Sequence, residues 1–381
     1  MKKHITVTKR NRQQSAETSQ NRQASLPASL KWTVGVDLGD KDSHYCILDE
    51  AGEVIRRGKE ATTKAGLRSL FGEMPRSRVA LEVGTHSPWV SRLLDGIGHE
   101  MIVANPHKVK LITQSNRKND RVDAEQLARL ARVDPKLLSP IRHRAESAQA
   151  DLAVIKARAV LVKTRTMLII AARGLAKSMG ERLRPCDADQ VRAAMVDALP
   201  QELRTALEPV LKAVEEITGQ MRECDRQIEQ METRYPEVVL LTQVYGVGLL
   251  IALTFILTLD DPERFAHSRD VGPYLGLTPK QRDSGERQMQ LGISKAGDGL
   301  LRSLLVQGAH SILRQGAPES ELQAWGRRRM EQGGKRGKKR TVVAVARKLA
   351  VLLHRLWVSG EVYDPQYHRK GRERAGAQAA A

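Results

Sequence analysis

From Leu207 to Met231 the apolar residues Leu207, Val210, Val214, Ile217, Met221, Cys224, Ile228 and Met231 succeed one another at intervals of 3, 4, 3, 4, 3, 4 and 3. This spacing keeps one stripe of an α-helix turned toward a partner helix, and a strand, whose side chains alternate with period two, cannot use it. Leu152, Ile155, Ala159, Val162, Thr166 and Ile169 repeat the same intervals. The two seams predict a coiled-coil helical region over 146–234, its long helices pairing either within one chain or across a dimer. Met221 and Cys224 read there as packing residues. Such a middle divides the 381-residue chain into parts with separate cores, since one core serves about 100 to 200 residues.

The part before it, 31–145, has a mixed α/β pattern. Trp32, Val34 and Val36 alternate with Thr33, Gly35 and Asp37, the period of a strand that ends at Asp37. Tyr45 to Leu48 and Glu53 to Arg57 flank an Ala51-Gly52 turn and read as the next two strands of a meander. An amphipathic helix from Lys64 to Phe71, a strand from Arg78 to Val83, a helix near Trp89 to Leu94 and a strand from Met101 to Ala104 complete about five strands. The part after the helical middle, 235–360, is mostly α. Its segment Val238 to Leu259 is 22 residues without a charge, long enough to span a bilayer. Thr242, Gln243 and Tyr245, the interrupting Gly246 and Gly248, and the acidic residues just after it predict a turn followed by a buried core helix instead, with no membrane partner. Residues 1–30 read as a disordered basic arm without the apolar stretch of a signal peptide, and 361–381 as a flexible tail. Cys46, Cys186 and Cys224 form no C-x-x-C pair and read as ordinary reduced thiols of a cytoplasmic protein.

Charge narrows the partner. Lys and Arg number 63 against 44 Asp and Glu, a formal charge of +19, which favours a polyanion through counterion release. Four Trp, six Tyr and three Phe are too few for a surface that works by stacking single-stranded bases, so backbone contact is expected. Phosphodiester cleavage needs a polarised phosphate and a stabilised leaving oxygen, which two divalent ions about 4 Å apart supply when several carboxylates hold them. Asp37 and Glu82 stand at the ends of the first and fourth strands, on one edge of a sheet if those strands are neighbours. Asp120 and Asp123, three apart in Lys118-Asn119-Asp120-Arg121-Val122-Asp123-Ala124, share one face of a helix running on through Leu127 and Leu130. Oxygen ligands of this kind suit Mg2+ or Mn2+. Taken singly each would serve as a cap or surface charge, Asp120 above all as a helix N-terminal acid.

Val34-Gly35-Val36-Asp37, Leu81-Glu82, and Asp120 with Asp123-Ala124 resemble the DEDD motif of the one-ten family of insertion-sequence transposases. The likeness runs over roughly Thr33 to Leu313, with Asn119 where the family usually has Thr. The resemblance implies a ribonuclease H-like, resolvase-like N-terminal domain with Asp37, Glu82, Asp120 and Asp123 as catalytic metal ligands. It also implies that Gly276-Leu277-Thr278-Pro279, Arg282-Asp283-Ser284-Gly285 and Leu291-Gly292-Ile293-Ser294-Lys295 belong to a transposase domain whose nucleophile is Ser284. By chemistry alone Ser284 reads as a turn residue in a polar loop, with Ser294 as its rival. Arg282, Arg287 and Lys295 read as phosphate anchors or as stabilisers of transferring charge. Further implications are donor and target DNA as substrates, a noncoding bridge RNA that pairs with both, and a homo-oligomer, dimeric and tetrameric on DNA. The two motifs lie in different regions, so a composite site is expected, with the heptad seams as dimer contacts.

Tyr245-Gly246-Val247-Gly248 before an apolar helix looks like a helix-hairpin-helix turn whose amides reach a phosphate, or else a plain structural turn. Arg327, Arg328, Arg329, Lys335, Arg336, Lys338, Lys339 and Arg340 form a glycine-interrupted basic loop, either solvated or in contact with nucleic acid. Three other readings stay open: a resolvase-like nuclease in which Ser284 is idle, a catalytically dead nucleic-acid-binding relic, and an actin-like sugar kinase, whose first phosphate loop Val34-Gly35-Val36-Asp37-Leu38-Gly39 resembles. No second phosphate loop accompanies that segment.

Overall fold

The computed structural model describes residues 30–105, 120–284, 287–334 and 337–366, and for 120–121 and 282–290 only the backbone. The basic arm up to residue 29, Asn119, Gly285, Lys335, Arg336 and the tail from 367 lie outside the described residues. The chain divides into two compact units, Met1–His143 and Arg144–Ala381.

The first unit is built on a five-stranded sheet in the order β3-β2-β1-β4-β5. Its strands are β1 (Thr33–Asp37), β2 (Asp42–Leu48), β3 (Val54–Ala61), β4 (Arg78–Glu82) and β5 (Glu100–Ala104). β1 to β3 form the expected antiparallel meander, while β4 and β5 add parallel to β1. Parallel addition needs crossovers, and α1 (Lys64–Gly72) and α2 (Ser87–Gly96) supply them. Val34, Val36, Val79 and Leu81 pack with Leu67, Phe71, Val90 and Leu94 on that face. On the other face Ala80, Ile102 and Ala104 pack against Leu127 and Ala131 of α3 (Asp120–Val133). This mixed α/β arrangement is compatible with the ribonuclease H-like expectation.

In the second unit, α4 (Glu146–Ser178) and α5 (Gln201–Met231) lie against each other within one chain. Arg158 pairs with Asp225 and Arg165 with Thr218, so seven residues forward on one helix are seven back on the other and the hairpin is antiparallel. The seams differ from those read in the sequence. On α5 the buried positions include Leu211, Val214, Thr218, Met221 and Ile228, whereas Val210, Ile217 and Cys224 are only half-buried. On α4 Arg165 is buried while Thr166 is exposed and returns its hydroxyl to the Val162 carbonyl. The facing positions hold Arg–Asp and Arg–Thr pairs that apolar periodicity skips. Of the two pairings the seams allow, the chain makes the one within itself.

The rest of this unit packs around α7 (Leu249–Leu259), which follows the short α6 (Val238–Leu241). Ile251 to Leu259 are all buried, as expected of a core helix after a turn. Around it stand α8 (Val271–Tyr274), α9 (Gly299–Leu313), α10 (Glu321–Gln332) and α11 (Gly337–Ser359). No described helix is long and apolar enough to cross a membrane. One element was not foreseen: 279–293 is an antiparallel ribbon of β6 (Pro279–Ser284) and β7 (Arg287–Ile293). Ser284 is therefore the last residue of a strand, paired with Arg287, rather than part of a polar loop.

Candidate active site

Glycine decides where the carboxylates go. A Cβ on Gly35 would stand 1.9 Å from the Ala124 carbonyl oxygen and 2.5 Å from Ala128 N, so α3 rests directly on the backbone of β1 only because residue 35 has no side chain. At the start of the strands Arg78, which pairs with Thr33, donates to the Ala131 carbonyl at 3.2 Å. Thus α3 runs antiparallel to β1 and β4, and its N-terminal turn arrives at their carboxyl ends. Asp37 and Glu82 are at those ends, one step beyond the Val36–Leu81 pair. Side chains at i and i+2 of a strand share a face, so Asp37 follows Gly35 and Glu82 follows Ala80 onto the face that α3 covers. Neighbouring strands are about 4.8 Å apart, which sets the two carboxylates side by side. Asp123, in the first turn of α3, is buried. The backbone of Asp120 opens the same helix; its side chain is outside the described ones.

Beside Asp123, Glu125 is clasped by Arg57 of β3 (2.5 Å) and Arg129 (2.9 Å). The Arg57 guanidinium foremost holds its carboxyl below the usual carboxylate range. It fastens α3 to the far edge of the sheet and stays an ion-pair residue rather than a fifth ligand. Among the described residues no three His, Cys, Asp or Glu side chains stand close enough to cage a metal. The donor set itself fits a hard divalent ion: carboxylate oxygens, with no thiol or imidazole in the expected group.

Residues 34–180 match a family profile described as "Transposase" of the DEDD, IS110 type, and residues 238–324 match "Transposase IS116/IS110/IS902 family". The transposase for insertion sequence element IS1111A of Coxiella burnetii is 28% identical over 341 residues, 87% of this chain and 90% of that one. A Sinorhizobium fredii protein named as a transposase, y4pF/y4sB, is 30% identical over 300 residues, 77% of this chain and 76% of its own. The transposase for IS1328 of Yersinia enterocolitica is 27% identical over 286 residues, covering 74% and 84%.

This chain belongs to the IS110/IS116/IS902 transposase family. It is a DNA transposase, and the sugar-kinase resemblance of residues 34–39 reduces to a shared strand-end sequence.

The transposase's other expected contacts separate into those with a packing explanation and those without. Gly246 is left-handed (φ +85°), and a Cβ there would stand 2.8 Å from the Gly308 carbonyl oxygen of α9. Close packing alone accounts for that glycine. Gly248 has nothing within 4 Å of its would-be Cβ and opens α7 without a side-chain cap. Lys295 is exposed and left-handed (φ 58°); Arg282 and Arg287 lie in the ribbon backbone. The described basic residues of the run are helical rather than part of a loop. Arg327, Arg328 and Arg329 are exposed in the later turns of α10, and Lys338, Lys339 and Arg340 in the first turn of α11. The helices can meet because Gly333 and Gly337 touch: a Cβ on Gly333 would lie 2.7 Å from the Gly337 Cα.

The sequence reading passed over a cluster beside Asp37 and Glu82. Trp89 Nε1–H donates to His86 Nδ1 (3.1 Å), leaving His86 Nε2–H to face Asp40 Oδ1 at 3.4 Å. This joins the loop after β1 to the loop after β4. Ser87 closes the latter, its Oγ bonded to Gly84 N and O and to His143 Nε2. The available signal was position: Asp40 and His86 follow Asp37 and Glu82 by three and four residues.

Proposed function

We propose that this transposase cuts and rejoins the DNA of an insertion sequence with Asp37, Glu82, Asp120 and Asp123 as ligands of Mg2+ or Mn2+ and Ser284 as the nucleophile. The observation that carries the reading is the adjacency of Asp37 and Glu82 on parallel strands beneath the first turn of α3. A divalent ion bound there would polarise the scissile phosphate and stabilise the leaving oxygen. Ser284 Oγ attacks phosphorus, and its proton ends on the departing 3′-oxygen of the cut strand, which leaves as a 3′-hydroxyl. The serine phosphodiester so formed conserves the bond energy until a new 3′-hydroxyl displaces the serine. Arg282, Arg287 and Lys295 steady the phosphate charge.

A bridge RNA selects donor and target by base pairing, a reading supported by the family likeness and by a chain whose charge suits backbone contact. The acting species is a homo-oligomer working on DNA in the cytoplasm. Support comes from α4, whose outer side exposes Val160, Met167, Ile170 and Leu175, with Met179 just after its end, a larger apolar stripe than a lone helical hairpin needs.

The test incubates the full chain with element-end DNA, guide RNA and Mg2+, then denatures and resolves protein-bound DNA. The wild type yields a covalent adduct. Ser284→Ala and Asp37→Asn bind DNA but yield none. Cleavage retained in Ser284→Ala without an adduct would assign the reaction to a metal-activated water instead.

A further inference from the structure

Ser284 stands at the far end of a two-stranded ribbon, five residues beyond Pro279. At about 3.4 Å per residue the ribbon is a lever of roughly 17 Å, so a tilt of about 10° at its base displaces Ser284 by about 3 Å. A misplacement of about 1 Å costs on the order of a hundredfold in rate. A ribbon of two strands is marginal by itself, so its direction is set where it is rooted.

The root is a backbone knot. Ser294 N donates to the Thr278 carbonyl (2.9 Å) and Lys295 N to the Gly276 carbonyl (3.1 Å). Gly276 (φ +67°) and Gly297 (φ +71°) are left-handed, as is Lys295. A Cβ on Gly276 would lie 2.3 Å from both N and O of Ala296, and one on Gly297 would lie 2.2 Å from the Tyr274 carbonyl oxygen. The two limbs are thus in backbone contact, with carbonyls of both turned to one point. Arg302 occupies that point. Its Nη1 donates to the Leu275 carbonyl (3.1 Å) on the incoming limb and to the carbonyls of Ala296 and Gly297 (3.2 Å) on the outgoing limb. Arg302 rides on the first turn of α9, which Asp298 caps by accepting from Leu301 N (2.9 Å), and the adjacent Leu301 and Leu305 are buried in the core. All three acceptors are met by one nitrogen, whose two N–H groups share them through a three-centre bond, so a lysine ammonium with three N–H groups can reach part of the same set.

We infer that Arg302 is a positioning residue for strand transfer: it ties both limbs of the ribbon to α9 and so fixes where Ser284 is presented. The inference rests on Ser284 being the nucleophile. The test compares wild type, Arg302→Met and Arg302→Lys as full chains on a duplex carrying the element's terminal junction, with guide RNA and Mg2+. In Arg302→Met, amide hydrogen exchange over 279–293 quickens about tenfold while α9 and α11 keep their protection. Adduct formation at saturating DNA slows by about tenfold to a hundredfold with the dissociation constant for DNA unchanged, and Arg302→Lys recovers part of the rate. Wild-type adduct rates in Arg302→Met overturn the inference. So does a combined loss of thermal midpoint, binding and rate in both variants, which makes Arg302 a residue of general stability. An adduct persisting in Ser284→Ala sinks the serine assignment instead, and the exchange pattern over 279–293 still reports on the clamp.

Discussion

His354 shows how one buried side chain couples the second unit to pH. It is buried on α11, with Nε2 facing the Pro262 carbonyl (3.0 Å) and Nδ1 facing Ser268 Oγ (2.9 Å). Burial pushes its pKa below the ordinary 6.5, so the folded state holds it neutral. The unfolded chain takes up the proton first, and stability rises with pH wherever the unfolded state binds more protons. The contribution is complete above about pH 6.5 and is lost as pH falls from there through the folded value. Urea midpoints between pH 7.5 and 5 are expected to drop in the wild type. In His354→Phe the drop is expected to be shallower from a lower starting point. Equal slopes in the two proteins would show that the acid sensitivity lies elsewhere. Gly35 illustrates the opposite kind of residue, one whose importance is an absence: any side chain there must push α3 off the backbone of β1.

At the scale of elements the α4–α5 hairpin separates helix periodicity from helix packing. Leu211 is fully buried and Ile217 half-buried, so Leu211→Ala is expected to cost about 2 to 5 kcal/mol. Ile217→Ala is expected to cost about 1 kcal/mol. Denaturant unfolding measures both, and the reverse order would restore the seam drawn from apolar residues alone. The seam moved because Arg165 and Thr218 take buried positions between the helices, while Arg158 with Asp225 and Arg165 with the largely exposed Asp189 pair at its rim. A charged pair in a helix interface fixes register at a cost in stability, and hydropathy counts it as surface. Legibility across the first unit was far greater. Its five strands and three helices followed from alternation and amphipathic spacing, because each element there has one buried and one open side or a short apolar run between turns. The ribbon over 279–293 escaped because Lys280 to Ser284 is wholly polar, although Met289, Leu291 and Ile293 alternate with Gln288, Gln290 and Gly292, a legible strand signal.

For the molecule as a whole, charge is the property that reaches the partner. Lys338, Lys339 and Arg340 crowd the first turn of α11, the end at which the helix dipole disfavours cations by about 0.3 to 1 kcal/mol each. A bound phosphate backbone relieves that conflict. Replacing all three with alanine is expected to reduce the slope of log affinity for duplex DNA against log salt by about 0.9 per lost contact, up to about 2.7. Anisotropy titrations at several salt concentrations measure it, and an unchanged slope would leave these residues as solvated surface.

The sequence alone determined the class of the first unit, the existence of the two long helices, the polyanionic partner and the identity of the four acidic candidates. Each is written in local spacing or in composition, which need no knowledge of what lies across the fold. Tertiary structure decided that β4 adds parallel to β1, so that Asp37 and Glu82 become neighbours, and that the helical seams close within one chain. It also decided that the Leu275 carbonyl, 27 residues back in the chain, meets those of Ala296 and Gly297 at Arg302. These are long-range pairings selected by close packing and by the need to satisfy buried polar groups, and no residue's neighbours along the chain encode them.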